Sequence, residues 1–266
     1  MIAPLPLTVD PDAGIPMPDG TRLSAQVWRP AGPDRFPAIL EFIPYRKRDG
    51  TAARDATIHP WMAARGYACL RVDLRGHGDS GGIWDDEYSP QELADACAVI
   101  AWAAAQDWCT GRVGMMGKSW GAFNALQTAA LRPPGLGAVI AVCGTVDRFA
   151  DDIHFKGGAL LGENFRWGST MLGYAARPPD PALRPGWRDD WLSRLAALPF
   201  LPPVWAAHQR RDAYWRHGSV AEDFAAIEVP VLGIGGGAGG HVDMIPGLLG
   251  GPARRPQAGP RAPGPL

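Results

Sequence analysis

No run of about 18 apolar residues occurs in this chain, the length a helix needs to cross a bilayer. Neither sign of charge dominates: 26 lysines and arginines face 27 aspartates and glutamates, for a net charge of −1. That balance lacks the basic excess of a nucleic-acid or anionic-membrane binder, so no nucleic-acid or membrane partner is expected. Cysteine is scarce. The four present, Cys69, Cys97, Cys109 and Cys143, show no C-x-x-C pair and no His/Cys spacing, which excludes a zinc ribbon and argues for reduced packing residues. The first residues lack a basic stretch followed by an apolar one, so no export signal is read and a cytoplasmic location is expected. There is no internal repeat, and no glycine pattern of the dinucleotide or P-loop kind; neither cofactor nor metal is expected. Glycine and proline, by contrast, are abundant, 34 and 27 among 266 residues, more than a fifth of the chain where about an eighth is usual.

Up to about residue 148 short β-rich runs alternate with helical patterns, the signature of a mostly parallel α/β sheet. Residues 23–29 and 38–44 read as the first strands and 56–65 as a short helix stopped by Gly66. Residues 67–72 then form a strand apolar on both faces, as a buried parallel strand requires. Ser89 followed by Pro90 marks a helix start for 91–106. A strand at 113–116, a helix at 122–131 and a strand at 138–142 follow. Residues 149–226 change character to a Trp- and Arg-rich, mainly helical insertion, read as a lid, before strand texture returns at 229–234. The resulting division is a core over 15–148, a lid over 149–226, returning core over 227–249 and a tail over 250–266. The run from Pro246 to Leu266 has six prolines and five glycines with no aromatic or β-branched residue, and reads as a disordered tail.

The chemistry concentrates at Gly117-Lys118-Ser119-Trp120-Gly121, a G-x-S-x-G between a strand and an apolar helix. In that setting the glycines permit a tight turn that lifts the serine hydroxyl above the sheet, which marks Ser119 as a nucleophile. The Trp120 backbone N–H, at the helix start, is then one donor to the oxyanion. A second donor belongs on the loop after an early strand, Phe42-Ile43-Pro44-Tyr45-Arg46-Lys47. Read from the residues alone, Tyr45 is either that donor, through its phenol, or a packing residue with a satisfied hydroxyl. Other polar groups have plainer readings. Residues 73–81 (DLRGHGDSG) form a loop after a strand whose glycines match neither the dinucleotide nor the P-loop pattern, and Asp151-Asp152-Ile153-His154 either lines an acyl or amine subsite or pairs with nearby arginines. His59, His208 and His217 have no ligand partners at a recognisable spacing, and the lid aromatics are mostly core. No acidic cluster stands out as a dock for a substrate amine.

These segments, with Ile43-Pro44-Tyr45-Arg46-Lys47, residues 71–81, residues 106–121, residues 133–140 and residues 209–219, resemble the hydrolases of the cocaine-esterase, X-Pro dipeptidyl-peptidase and α-amino-acid ester hydrolase superfamily. The resemblance spans about residues 15–249. It implies an α/β-hydrolase fold with an inserted helical lid, and hydrolysis of a small-molecule ester or amide through an acyl-enzyme. It favours Tyr45 as an oxyanion donor and Ser119 as the acylated nucleophile, and it implies that the turn at 73–81 is structural, its Asp and Arg tying loops together by hydrogen bonds. It also implies a triad aspartate in a G-W-x-D motif after a V-P-V-L strand, then a histidine in a G-P-W-x-H-like segment and a C-terminal jelly roll.

Here the sequence departs from the pattern. After Val229-Pro230-Val231-Leu232 the motif reads Gly235-Gly236-Gly237-Ala238-Gly239, with glycine where tryptophan and aspartate are due. The later histidine and the jelly roll have no counterpart, so the chain reads as a truncated, N-terminal portion. His241 is the local candidate for a base and Asp243 for its orienting acid. Loss of an orienting acid alone costs about 10⁴ in rate, so weak or no activity is expected. Two rivals stand beside this reading, an acyl-binding protein without catalysis and a gene fragment without function. Core surface left bare by a missing domain would favour self-association.

Overall fold

The computed structural model describes residues 3–238 and 240–250. Its centre is a seven-stranded sheet built from β1 (Leu7–Pro16), β2 (Arg22–Pro30), β3 (Phe36–Ile43), β4 (Ala68–Asp73), β5 (Cys109–Lys118), β6 (Leu136–Val142) and β9 (Val231–Ile234). The strand order is β1-β2-β4-β3-β5-β6-β9. The pairings β1·β2 and β2·β4 are antiparallel, and all those from β4 through β3, β5 and β6 to β9 are parallel. This is the mostly parallel α/β sheet that the alternation of short strands and helices implied, in the α/β-hydrolase form that the resemblance implied.

Three helices lie between the parallel strands: α1 (Ala52–Ala63), α2 (Pro90–Ala104) and α3 (Trp120–Ala130). Every residue of β4 is buried, as its apolar run required. α2 starts as its sequence indicated: the Ser89 side chain accepts from the Glu92 amide and Pro90 occupies the first turn, where its missing N–H has no partner to lose. α1 begins four residues ahead of the sequence reading and carries Pro60 inside it. β1 was not anticipated. Its segment LTVDPDAGIP contains Pro11 and Gly14, which disfavour strand, and the ladder accommodates them with a register shift between Asp10 and Ala13.

The inserted segment is helical as expected, with α4 (Glu163–Ala175), α5 (Trp187–Ala197), α6 (Pro202–Ala207) and α7 (Ala213–Arg216), but opens with a small hairpin of β7 (Phe155–Lys156) and β8 (Ala159–Leu160). Its buried residues Phe155, Met171, Trp205 and Trp215 join one apolar cluster with Trp120, Phe123 and the strands. The helices are therefore seated on the core rather than built around a core of their own.

One expectation fails at the end of the sheet. The tail reading from Pro246 meets a helix, α8 (Met244–Gly250), whose Met244 is fully buried. Gly233 and Gly235 explain why it can form: a Cβ at either would lie within 3 Å of Ile245, so β9 presents bare backbone on which the helix rests. Residues 251–266, the rest of that reading, lie outside the described residues.

Candidate active site

β5 leads straight into α3, and the turn between them is the sharpest feature of the sheet's carboxyl end. Ser119 sits there with φ 54° and ψ −117°, a left-handed backbone that costs a non-glycine residue of order 1–3 kcal/mol and persists only where its surroundings impose it. Those surroundings are visible. The Ser119 amide donates to the Val142 carbonyl of β6 at 2.9 Å, and its own carbonyl accepts from Ala122 and Phe123 at 2.8 and 3.1 Å. A Cβ at Gly117 would stand 2.5 Å from the Gly121 backbone, and one at Gly121 would stand 3.0 Å from Ile43. Gly117 is thus required by close approach to backbone, Gly121 lies tight against a side chain, and Ser119 is left partly exposed at the crest.

Tyr45 reaches this crest from the loop after β3. Its ring packs edge-on against Trp120, with centroids 6.5 Å apart, and against Trp167 of α4 at 6.3 Å and Tyr174 at 5.5 Å. Burial, reinforced by the nearby Glu87 carboxylate, holds the phenol far above its usual titration range, so it stays a neutral O–H donor. The structure therefore brings together three of the residues singled out in the sequence: Ser119, Trp120 and Tyr45.

His241 lies nearby by another route. Its imidazole packs edge-on against Phe123, one turn along α3 from Ser119, at 5.4 Å between centroids. Burial lowers its pKa, and its Nδ1 is buried without a hydrogen-bond partner among the described residues. No hydrogen bond to the Ser119 hydroxyl is formed by any described side chain. Asp243 does not orient His241. Its side chain is exposed and its amide donates to Asp151 at 3.1 Å, so the carboxylate whose field reaches the imidazole is that of Asp151. Chain direction causes this: after His241 the backbone turns towards α8, and Asp243 falls in that turn with its side chain exposed.

In the cluster at residues 151–154, neither Asp151 nor His154 pairs with an arginine. His154 is completely buried, with Nε2 2.7 Å from Glu87 and Nδ1 2.9 Å from Asn164, between the rings of Trp205 and Trp215. Asp151 pairs with Lys156 rather than with an arginine. Sequence inspection passed over two carboxylates that matter. Glu87 accepts from the Trp167 indole at 2.5 Å and so joins the lid to the site. Glu92 accepts from the Trp120 indole at 2.8 Å and from Asn124 at 2.6 Å. A signal for Glu92 existed, since Ser89-x-x-Glu92 has the spacing of a capping box. Glu87 had none.

Among the described residues one trio, Glu41, Asp55 and His59, has the spacing of a metal-ligand group. Arg54 already pairs with both carboxylates, and Arg71 lies 3.3 Å from Asp55. Two guanidinium groups thus stand where a cation would be needed. The turn at 73–81 is structural as read: Asp73 accepts the Lys47 amide and Asp79 the Lys47 ammonium, at 2.8 and 2.7 Å.

A serine at a strained strand-to-helix elbow, glycines enforcing the turn and a seven-stranded α/β sheet beneath it define the α/β-hydrolase class. The family pattern described as X-Pro dipeptidyl-peptidase (S15 family) matches residues 19–242, and the chain belongs to that family. It is similar to cocaine esterase of Rhodococcus sp. (strain MB1 Bresler), 28% identical, over 82% of this chain and 42% of that one. Among solved structures it is similar to a CocE/NonD family hydrolase from Staphylococcus aureus, with TM-score 0.66 and 24% identity over 84% of this chain and 40% of that one. An aminopeptidase from a marine sediment Thaumarchaeota archaeon shares the fold, with TM-score 0.67 and 21% identity over 87% of this chain and 43% of that one. The chain thus spans about two fifths of the length of these relatives. No helix among the described residues is long and apolar enough to cross a membrane.

Proposed function

We propose that this chain is a serine hydrolase core that binds a small ester or amide and is acylated at Ser119. The observation that carries the reading is the elbow, with Ser119 held at φ 54° beside the Trp120 helix start and the Tyr45 ring. In the reaction the Ser119 oxygen attacks the carbonyl carbon, and the carbonyl oxygen, becoming an oxyanion, accepts from the Trp120 amide and the Tyr45 phenol. His241, kept neutral by burial and packed on Phe123 one turn along α3 from Ser119, takes the serine proton and returns it to the alcohol or amine that leaves as its bond to the acyl carbon breaks, after which water frees the acid from Ser119 by the same route. Its distance from a built triad makes the step slow, and the activity weak.

An ester is favoured over a substrate with a free α-amine. Glu87 and Glu92 are already engaged by Trp167, His154, Trp120 and Asn124, so neither is free to receive an ammonium group. Hydrolysis of short p-nitrophenyl esters by the purified chain tests the proposal. Slow turnover that disappears in Ser119→Ala is expected, and turnover unchanged in that variant overturns it. The absence of a hydrogen bond to the Ser119 hydroxyl favours one second reading, a protein that holds acyl esters without cleaving them. Saturable equilibrium binding of an ester with no product after prolonged incubation is the result that selects it.

A further inference from the structure

Glu92 is bonded more heavily than helix capping requires. One oxygen, Oε2, ties the helix start to the segment before it by accepting at 3.0 Å from the amide of Tyr88, the residue ahead of the cap Ser89. The other, Oε1, accepts from two side chains of a different helix, Trp120 Nε1 at 2.8 Å and Asn124 Nδ2 at 2.6 Å. Both belong to the first turns of α3, immediately after Ser119. Tyr88, itself at φ 51°, stacks on Phe123 and leans on Trp120 at 4.8 Å. A buried carboxylate is costly unless it is fully bonded. Every partner Glu92 has is a donor, which only the ionised form can satisfy, yet burial pushes its pKa up to about 8.

We infer that Glu92 is a positioning residue for acylation: by fixing the Trp120 indole it fixes the Trp120 amide, and with it the left-handed Ser119, from the side away from the substrate. The inference rests on the oxyanion role proposed for that amide. Protonating Glu92 replaces an acceptor with a donor facing three donors, so α3 loses its anchor and the oxyanion site loosens. The other titratable groups around it are Glu87 and Tyr88 on its own segment, Tyr45 from the β3 loop, and Arg75 and Asp85 across a small cavity. α3 contributes only the uncharged Trp120 and Asn124.

The test follows the rate of Ser119 phosphonylation by a fluorophosphonate in the full chain between pH 6 and 9.5, with thermal unfolding measured in parallel. In the wild type the rate is expected to rise through a step near pH 8. In Glu92→Gln, which keeps one acceptor oxygen, the step is expected to vanish and the rate at pH 9 to fall by roughly 10-fold to 100-fold, the scale on which a small misplacement of a reacting group acts. Trp120→Phe should cost a similar factor, and the double variant no more than either alone. A wild-type rate and step in Glu92→Gln, multiplying effects in the double variant, or a fall in unfolding temperature without a change in rate would each overturn the inference. Should wild-type Ser119 not react at any pH, the acylation reading fails and the positioning claim is read from the Trp120 backbone amide by NMR. Movement of that resonance with a midpoint near pH 8, lost in Glu92→Gln, supports it; a resonance indifferent to pH and to the variant overturns it.

Discussion

Gly117 and Gly121 show how closely the site's residues are specified. A methyl group at position 117 would overlap the Gly121 backbone at 2.5 Å, with no flexible side chain to give way. Gly117→Ala is therefore expected to cost about 2 kcal/mol or more, in the range of overpacked cores, and to flatten the elbow. Urea denaturation reads the first effect and loss of ester turnover the second. Tyr45→Phe removes only a hydroxyl that no described side chain bonds. It should leave the unfolding midpoint unchanged while lowering turnover by about 10²–10³, the usual cost of an oxyanion donor. At this scale the elbow at Ser119 and Trp120 was legible because a short local pattern carries it, whereas Tyr45 was left open by its own residues and singled out only by the resemblance. The partners of Glu92 were not, because Trp120 and Asn124 reach it from another helix, 28 and 32 residues away. His241 was legible as a nearby imidazole, but its relation to Asp151 depends on how the backbone turns into α8.

Among the elements, the inserted helices are held down by a set of buried charges that no local pattern announces. Arg46 donates to the Arg177 and Pro178 carbonyls at 3.2 and 2.9 Å, and the Asp180 amide donates to Asp79 at 2.9 Å. Arg184 binds Asp12 of the β1–β2 hairpin at 2.7 and 2.8 Å, and Arg194 donates to the Gly78 and Ser80 carbonyls. The turn at 73–81 is thus a seat for α5 and the loop before it. Arg184→Ala is expected to raise amide hydrogen exchange across residues 177–197 at least about 10-fold while leaving β3 to β6 protected. Equal acceleration in the sheet would show that the seat is not local. Strand and helix alternation made the parallel sheet readable in advance, since period and burial agree there. β1 and α8 escaped because each is rescued from unfavourable composition by packing: β1 by its bulge and its ladder with β2, α8 by the glycines of β9.

For the molecule as a whole, acid removes one set of stabilising contacts. Burial depresses His77 to about 3, against an ordinary value of 6.5. The unfolded chain therefore takes up that proton first, and the stability tied to neutral His77 is lost as pH falls from about 6.5 towards 3. Asp12, Asp79 and Glu41 are held below their usual values by Arg184, Lys47 and the group around His59, and lose their contribution over the acid end of the same range. Glu92 and Asp152, which burial raises to about 8 and about 7, act in the opposite sense, so the His77 contribution is read as the unfolding-temperature advantage of the wild type over His77→Asn, which should shrink from pH 7 to pH 4. A second property belongs to the exposed end of the sheet. Ile140, Leu232 and Ile234 alternate onto one face of β6 and β9, at 36%, 56% and 45% exposure, with no charged residue within β9 to discourage pairing. Sedimentation velocity should show mass rising with concentration, and Leu232→Lys should restore a monomer.

The central claim is that the chain presents a correctly built nucleophile with a poorly engaged base. Time-resolved intact mass spectrometry of the 266-residue chain with a fluorophosphonate tests it most directly. One adduct should form slowly, map to Ser119, and be missing from Ser119→Ala. Completion within seconds at micromolar probe would contradict the claim by revealing an engaged base, and an adduct persisting in Ser119→Ala would contradict it by placing the nucleophile elsewhere.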